Sequence, residues 1–262
     1  MNFLEQIIAD KKIEVGRRKE EVSQADLEKM IAKISRAPLF AKTLATGGIH
    51  LIAEIKKASP SAGVIRPDFD PAAIAAAYEK GGASCLSVLT DEGHFQGKLE
   101  DLDLVRAAAA LPLLRKDFVI DAYQIYETKA HGADAVLLIV AALGGYVLKR
   151  YLGLCEALSL DALVEIHDEP ELAVALTCGA KMIGINARDL TDFKVDPAVI
   201  QKLAPKIPKG ILSVAESGVR SMDDLARIKK LAVHGVLIGE ALMRSADPVA
   251  QTALFARGLR SL

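Results

Sequence analysis

The 262 residues carry 33 Lys and Arg against 34 Asp and Glu, a net charge of -1, which leaves no extended basic surface for nucleic acid or anionic lipid and favours a small-molecule partner. The longest uncharged apolar stretch, "AVLLIVAALGGYVL", is shorter than the roughly 18 residues of a membrane span, and the N-terminal stretch is charged throughout, so a cytoplasmic protein away from membranes is expected. The three cysteines, Cys85, Cys155 and Cys178, are far apart in apolar surroundings, which predicts buried thiols and neither a disulfide framework nor a metal cluster.

Residues 1–48 read as a helical extension. In "FLEQIIADKKIEVGRRKEEV" the apolar positions Phe3, Leu4, Ile7, Ile8, Ile13 and Val15 follow an approximately helical period, predicting a helix that packs on the remainder and covers one end of it. Eight short apolar runs follow: "LIAEI", "CLSVL", "LPLL", "AVLLIV", "ALVEI", "KMIGIN", "ILSVAE" and "GVLIG". Between them Asp70-Pro71, Asp121, Asp168-Glu169-Pro170 and Asp196-Pro197 stand where helices should start, and Ser221 with Asp224 makes a small capping box. Gly82, Gly132, Gly179 and Gly235 stand where helices should close before the next run. Runs apolar on both faces, alternating eight times with helices, predict an α/β fold, a closed (β/α)8 TIM barrel in one domain over residues 1–262. An open doubly wound sheet fits less well, because no G-x-G-x-x-G follows the first run and polar residues end most runs instead of one switch point. The glycine pair Gly144-Gly145 has no functional reading.

Side chains alternate along a strand, so Glu54 shares a face with Lys56, Leu114 with Lys116, and Leu163 with Glu165. With Asn186 and Glu216, also at run ends, one barrel mouth receives three carboxylates, two ammonium groups and an amide. Any one of them alone would be a solvated strand end. Together they need pairing and hydrogen bonds, and they fall on the barrel face where catalytic residues gather. Arg115 and Asp117 alternate outward, where strand-end ion pairing accounts for them. The turns "ESGVRS" and "IGEALMR" follow the seventh and eighth runs, the usual place for a phosphate cradle of backbone N–H groups. Alternation does not choose between Lys56 and Lys116 as proton donor.

The ordered runs "AEIKKASPSAGVIRPDFDP", "LSVLTDEGHFQG", "LLRKDFVIDAYQIYE", "ADAVLLI", "LVEIHDEPE", "IGINARDL", "VAESGV" and "VLIGEALMR" resemble the indole-3-glycerol-phosphate synthases of tryptophan biosynthesis over essentially the whole chain, the segment "ADKKIEVGRRK" included. At His94 and Lys98 the chain departs from that family, which more often has an aromatic residue and a serine there. The resemblance implies a carboxy-lyase that closes and decarboxylates 1-(2-carboxyphenylamino)-1-deoxyribulose 5-phosphate to indole-3-glycerol phosphate, without metal or organic cofactor. It implies Lys116 as the acid and Glu165 as the acid-base group of the dehydration. Glu54 and Glu216 would balance the lysines, Lys56 would hold the carboxylate end, and Asn186 and Arg188 would hydrogen-bond the intermediate. Ser217, Gly218, Gly239 and Glu240, the last through its backbone N–H, would hold the phosphate, and Ser59, Phe95 and Phe118 would contact the rest of the substrate. Pro60 and Leu190 also occupy the family's pocket positions, while the five histidines, His50, His94, His131, His167 and His234, read as surface or structural residues. A monomer is expected, with a homodimer as the alternative. A Schiff-base aldolase, a phosphosugar isomerase and a metabolite-binding protein are the rival readings. A borohydride-trappable imine would mark the first of these, and absence of carbon dioxide release either of the others.

Overall fold

The computed structural model describes residues 2–34, 37 and 39–260, so positions 1, 35, 36 and 38 of the extension lie outside the described residues. Eight parallel strands form the centre: β1 (His50–Ile55), β2 (Cys85–Leu89), β3 (Leu113–Lys116), β4 (Ala135–Ile139), β5 (Asp161–Ile166), β6 (Met182–Asn186), β7 (Leu212–Glu216) and β8 (Gly235–Ile238). Each pairs with its neighbours in sequence, and β8 returns to β1 with Gly235 opposite His50, so the sheet closes into the expected barrel. Every strand sends apolar side chains to the barrel axis, Ile52, Cys85, Leu114, Leu163, Met182, Val214 and Leu237 from seven of them and Ala135, Leu137 and Ile139 from β4. Their outward neighbours, such as Leu51, Leu86, Val136 and Val164, pack under the surrounding helices.

The third run is displaced from its expected place. Pro112 lacks the N–H a ladder needs, so β3 begins after it and extends to Lys116. The helix starts are as read: Asp70, Asp121 and Asp168 cap with their side chains, Ser221 and Asp224 form the capping box, and Asp196 accepts from Ala198 N at 3.0 Å. Gly82, Gly132 and Gly179 take positive φ at helix ends, whereas Gly235 does not close a helix. It opens β8, and a Cβ there would press on Leu44 and Ile52 at 3.2 and 3.3 Å. Gly144 has φ 64° and ψ 170° and breaks the helix Val140–Ala157, a backbone state that gives the glycine pair its reason. Cys85 and Cys155 are buried as expected, but Cys178 is only half-buried and donates to the Gly145 carbonyl at 3.2 Å.

The extension folds as three helices, α1 (Phe3–Glu21), α2 (Gln24–Ile31) and α3 (Phe40–Leu44). It covers both ends of the barrel, not one. Phe40 and Leu44 of α3 are fully buried in the axial cluster, and Ala41 N donates to Asp161 at the start of β5, so α3 stops the floor. Leu4 and Ile7 of α1 join the same cluster beside Phe118 and Leu190 at the mouth, where Phe3 stacks edge-on against Phe193 at 4.5 Å. The face that α1 buries takes Leu4, Ile7 and Val15 from the apolar spacing and leaves Ile13 out. Ile13 is 75% exposed, and the buried stripe runs Leu4, Ile7, Lys11, Val15, Arg18. Two charged residues complete it because buried carboxylates from the barrel face them. Among the described residues no helix is long and apolar enough to cross a membrane.

Candidate active site

The strand ends open on a cavity of ≈ 940 Å³, its mouth included. All fourteen residues singled out from the sequence line it: Glu54, Lys56, Ser59, Phe95, Lys116, Phe118, Glu165, Asn186, Arg188, Glu216, Ser217, Gly218, Gly239 and Glu240. Leu190 lines it as well, and Pro60 does not. Among the described residues no group of three or more His, Cys, Asp or Glu could hold a metal ion.

Lys116 is the last residue of β3, and its ammonium lies 2.9 Å from Glu165 and 3.4 Å from Glu216. Burial disfavours charge on this lysine, but the carboxylates of Glu165, Glu216 and Glu54 outweigh it and hold the ammonium above the ordinary lysine range. Burial acts on Glu165 in the opposite sense, and Lys116 with His167 overcomes it, so this carboxyl stays well below its usual range. Glu216 is pushed up to about 8, first by burial and then by the like charges of Glu165 and Glu54, with Lys116 only partly offsetting them. One ammonium thus stands between an ionised and a protonated carboxyl, the separation of roles that acid-base chemistry at neutral pH requires.

That separation has a measurable sign. Glu216 titrates near 4.5 when unfolded and near 8 when folded, so its contribution to stability is complete below the lower value and is lost as pH rises through the upper. Glu216→Gln removes the titration. The variant is expected to melt with the parent at about pH 5 and above it at about pH 8.5. An equal separation of the two melting temperatures at both pH values would count against a raised Glu216.

Two glycines make room for these carboxylates. A Cβ on Gly184, opposite Glu165 in β6, would overlap the Glu216 carboxylate, and one on Gly239 would overlap that of Glu54. The Gly184 signal was present in the sequence, since a glycine inside a strand marks close approach, but what approaches it was not legible. Glu54 pairs with Lys56 two residues on, the geometry that alternation predicts. Asn186 Oδ1 accepts from Ser217 Oγ at 2.8 Å and from Arg188 N at 2.9 Å, which leaves its Nδ2 amide as the donor toward the cavity. Arg188 donates to Ser61 Oγ and to the Phe193 carbonyl, fixing the loop after β6.

Ser217 and Gly218 both have positive φ, 65° and 83°, and both line the opening. Across from them Gly239 leads into the short helix Glu240–Met243, and the Glu240 carboxylate turns to Arg244 at 2.9 Å, which leaves its backbone N–H as the group on offer. Arg220 lines the same corner and was not singled out from the sequence. Phe95 and Phe118, ring centroids 6.1 Å apart, form the apolar wall with Leu190.

Arg115 and Asp117 are not a strand-end pair in solvent. Both side chains are fully buried, and Arg115 bonds Asp117 at 2.9 Å, Glu127 at 3.2 Å and Thr90 at 3.0 Å. Asp117 bonds Lys11 of α1 at 2.8 Å, and Lys11 also takes Asp91 at 2.8 Å and Glu14 at 2.7 Å. The extension therefore plugs a lysine into the wall beside Lys116, a contact between segments 106 residues apart that local reading cannot foresee. His94 pairs with Asp10 at 3.0 Å and meets the Phe3 ring edge-on, docking on α1 where the family more often has an aromatic residue. His167 was read as surface or structural, yet it faces Glu165. Alternation from Glu165 to the residue two further on was the overlooked signal.

A family model described as indole-3-glycerol phosphate synthase matches residues 4–254. Proteins of that name from Dehalococcoides mccartyi and Chlorobium phaeovibrioides are 46% and 47% identical over 253 and 249 residues, covering 95% and 94% of this chain and 98% and 96% of theirs. One from Mycobacterium ulcerans is 47% identical over 251 residues, 95% of this chain and 92% of its own. Among solved structures, a thiamine phosphate pyrophosphorylase from Pyrococcus furiosus superposes with TM-score 0.62 at 16% identity, covering 81% of this chain and 96% of its own, a likeness of fold alone.

Proposed function

The chain belongs to the indole-3-glycerol phosphate synthase family, and from that premise we propose how its barrel mouth divides the work. It is a carboxy-lyase of tryptophan biosynthesis that converts 1-(2-carboxyphenylamino)-1-deoxyribulose 5-phosphate to indole-3-glycerol phosphate, carbon dioxide and water. The observation that carries the division of roles is the position of Lys116, between two carboxyls of unlike protonation and beside an apolar wall.

The aromatic carbon attacks the ketone, charge builds on the ketone oxygen, and the Lys116 ammonium supplies the proton. Carbon dioxide then leaves and the ring regains aromaticity. Glu165 serves the dehydration, taking the ring proton, while a second proton from the Lys116 ammonium lets the hydroxyl depart as water. Lys56, tethered by Glu54, grips the substrate carboxylate, while Asn186 and Arg188 hydrogen-bond the intermediate and Ser59 contacts the substrate beside them. Glu216 balances Lys116. Phe95 and Phe118 hold the anthranilate ring out of water. The phosphate rests on the N–H groups of Ser217, Gly218, Gly239 and Glu240, with Arg220 adding charge. We read the protein as a cytoplasmic monomer of one domain whose partner is the phosphorylated substrate. The near-neutral charge supports a small-molecule partner over nucleic acid or membrane, and a homodimer is the alternative that light scattering would reveal.

The test is to add the carboxyphenylamino-deoxyribulose phosphate and follow indole fluorescence together with carbon dioxide. An imine at Lys116 trapped by borohydride, or substrate bound and left unchanged, would overturn the reading. For the phosphate turn, Gly218→Val places a branched side chain on a residue with φ 83°, where a Cβ already meets Val195 at 3.4 Å. KM is expected to rise by about tenfold or more, the loss of roughly one charge-assisted hydrogen bond. A folded variant with the parent's KM would remove the phosphate from this turn.

A further inference from the structure

The reaction takes up a proton from solvent. The substrate carboxylate leaves as neutral carbon dioxide and the ketone oxygen leaves as water, so one proton goes to that oxygen and a second to the departing hydroxyl. One is returned when the ring C–H is lost, and the net uptake is one proton per turnover. Lys116 must therefore be recharged, yet its side chain is only 15% exposed and that exposure is through the mouth the substrate fills.

A second route runs behind the wall. Glu165 Oε2 accepts from Lys116 Nζ at 2.9 Å, and its other oxygen, Oε1, faces His167 Nε2 at 3.5 Å. Both of these facing atoms are buried and make no hydrogen bond among the described residues. His167 Nδ1 lies 3.1 Å from Glu171 Oε2, which also accepts the His167 backbone N–H at 2.7 Å. Glu171 is itself placed by the N-cap of the helix Glu169–Cys178, its N–H donating to Asp168 at 2.8 Å. The side chains of His167 and Glu171 are 16% and 19% exposed, and neither residue lines the cavity. The row thus starts at solvent and ends on the ammonium group.

We propose that Glu171, His167 and Glu165 form a proton path that recharges Lys116 from solvent while substrate occupies the mouth. His167 and Glu171 are positioning residues in this path and act through Glu165. The inference rests on the ring-closing reading above. In the step itself the doubly protonated His167 gives its Nε2 proton to Glu165 Oε1 while its Nδ1 proton stays in the hydrogen bond to Glu171, and the emptied Nε2 is then reprotonated from solvent. The Glu165 carboxyl then turns to bring that proton to its Lys116 side and passes it to the neutral amine, so every group returns to its starting state with one solvent proton moved inward. Glu165 from its own strand end and Glu171 from the following helix are the charged groups that act on His167. Burial lowers its imidazole, the two carboxylates outweigh that, and it is raised to about 10, so it carries a proton to give at neutral pH.

The experiment compares the first turnover with later ones. Enzyme charged at neutral pH and mixed with excess substrate should, in His167→Ala, make one indole per site at nearly the parent's rate. Steady turnover should then be roughly 10- to 100-fold slower with KM within about twofold, and imidazole in the medium should restore part of it. Glu171→Gln keeps an oxygen for the His167 N–H and should show the same burst with a smaller slowing. First and later turnovers slowed alike and indifferent to imidazole, or steady rates unchanged in both variants, would overturn the path. A parent enzyme that releases neither indole product nor carbon dioxide would instead remove the ring-closing reading, and the path with it.

Discussion

Lys116→Met is expected to lower kcat by roughly 10²- to 10⁴-fold while KM stays near the parent's, because it deletes the proposed proton donor and keeps an unbranched stem of similar reach. The site's geometry is the reason for choosing this lysine over its rival. Three carboxylates act on Lys116 and keep it charged despite burial, which makes it a donor loaded before substrate arrives. Lys56 pairs with the Glu54 beside it and sits on the side of the opening that also holds Ser59. Lys56→Met should therefore weaken binding at least as much as it slows turnover. Steady-state kinetics on both variants decide the matter: a raised KM in Lys116→Met beside a lost kcat in Lys56→Met would exchange the two roles.

Lys11→Met is expected to destabilise the protein by about 3–5 kcal/mol, the range for removing one partner of a buried ion pair, and so to lower Tm by roughly 10 °C. Lys11 is 1% exposed and holds Asp91 and Asp117 together. Without it, two carboxylates remain in a wall that water does not reach, and Arg115 and Thr90 satisfy only the far oxygen of Asp117. Because Asp117 follows Lys116 directly, kcat should fall as well at temperatures where the variant is folded. Adding Asp91→Asn removes one of the stranded charges, so the double variant should melt higher than Lys11→Met alone. Thermal melts that show the two substitutions simply adding would mean that Lys11 and Asp91 are not energetically joined.

The sequence by itself determined the repeat, the barrel, and the mouth residues that lie on strand ends. Those follow from local rules: an apolar run bounded by an aspartate cap and a closing glycine is a strand followed by a helix wherever it stands, and alternation puts Glu54 with Lys56 and Leu114 with Lys116 on one face. The turns proposed to hold the phosphate were legible for the same reason, since Ser217-Gly218 and Gly239 need only their own backbone to form. Resemblance to a family added the chemistry that such rules do not contain.

What only the tertiary structure decided lies where distant segments meet. Ile13 looked like core and is in solvent, while Lys11 and Arg18 looked solvated and are buried, because a helix face is chosen by what the barrel presents to it and here the barrel presents Asp91, Asp117 and Glu127. The space for Glu216 over Gly184, and the unlike protonation of Glu165 and Glu216 around one ammonium, depend on four strands closing to within a few ångströms. Burial and charge act through space, so the residue that sets a carboxyl's proton can be a hundred positions away along the chain.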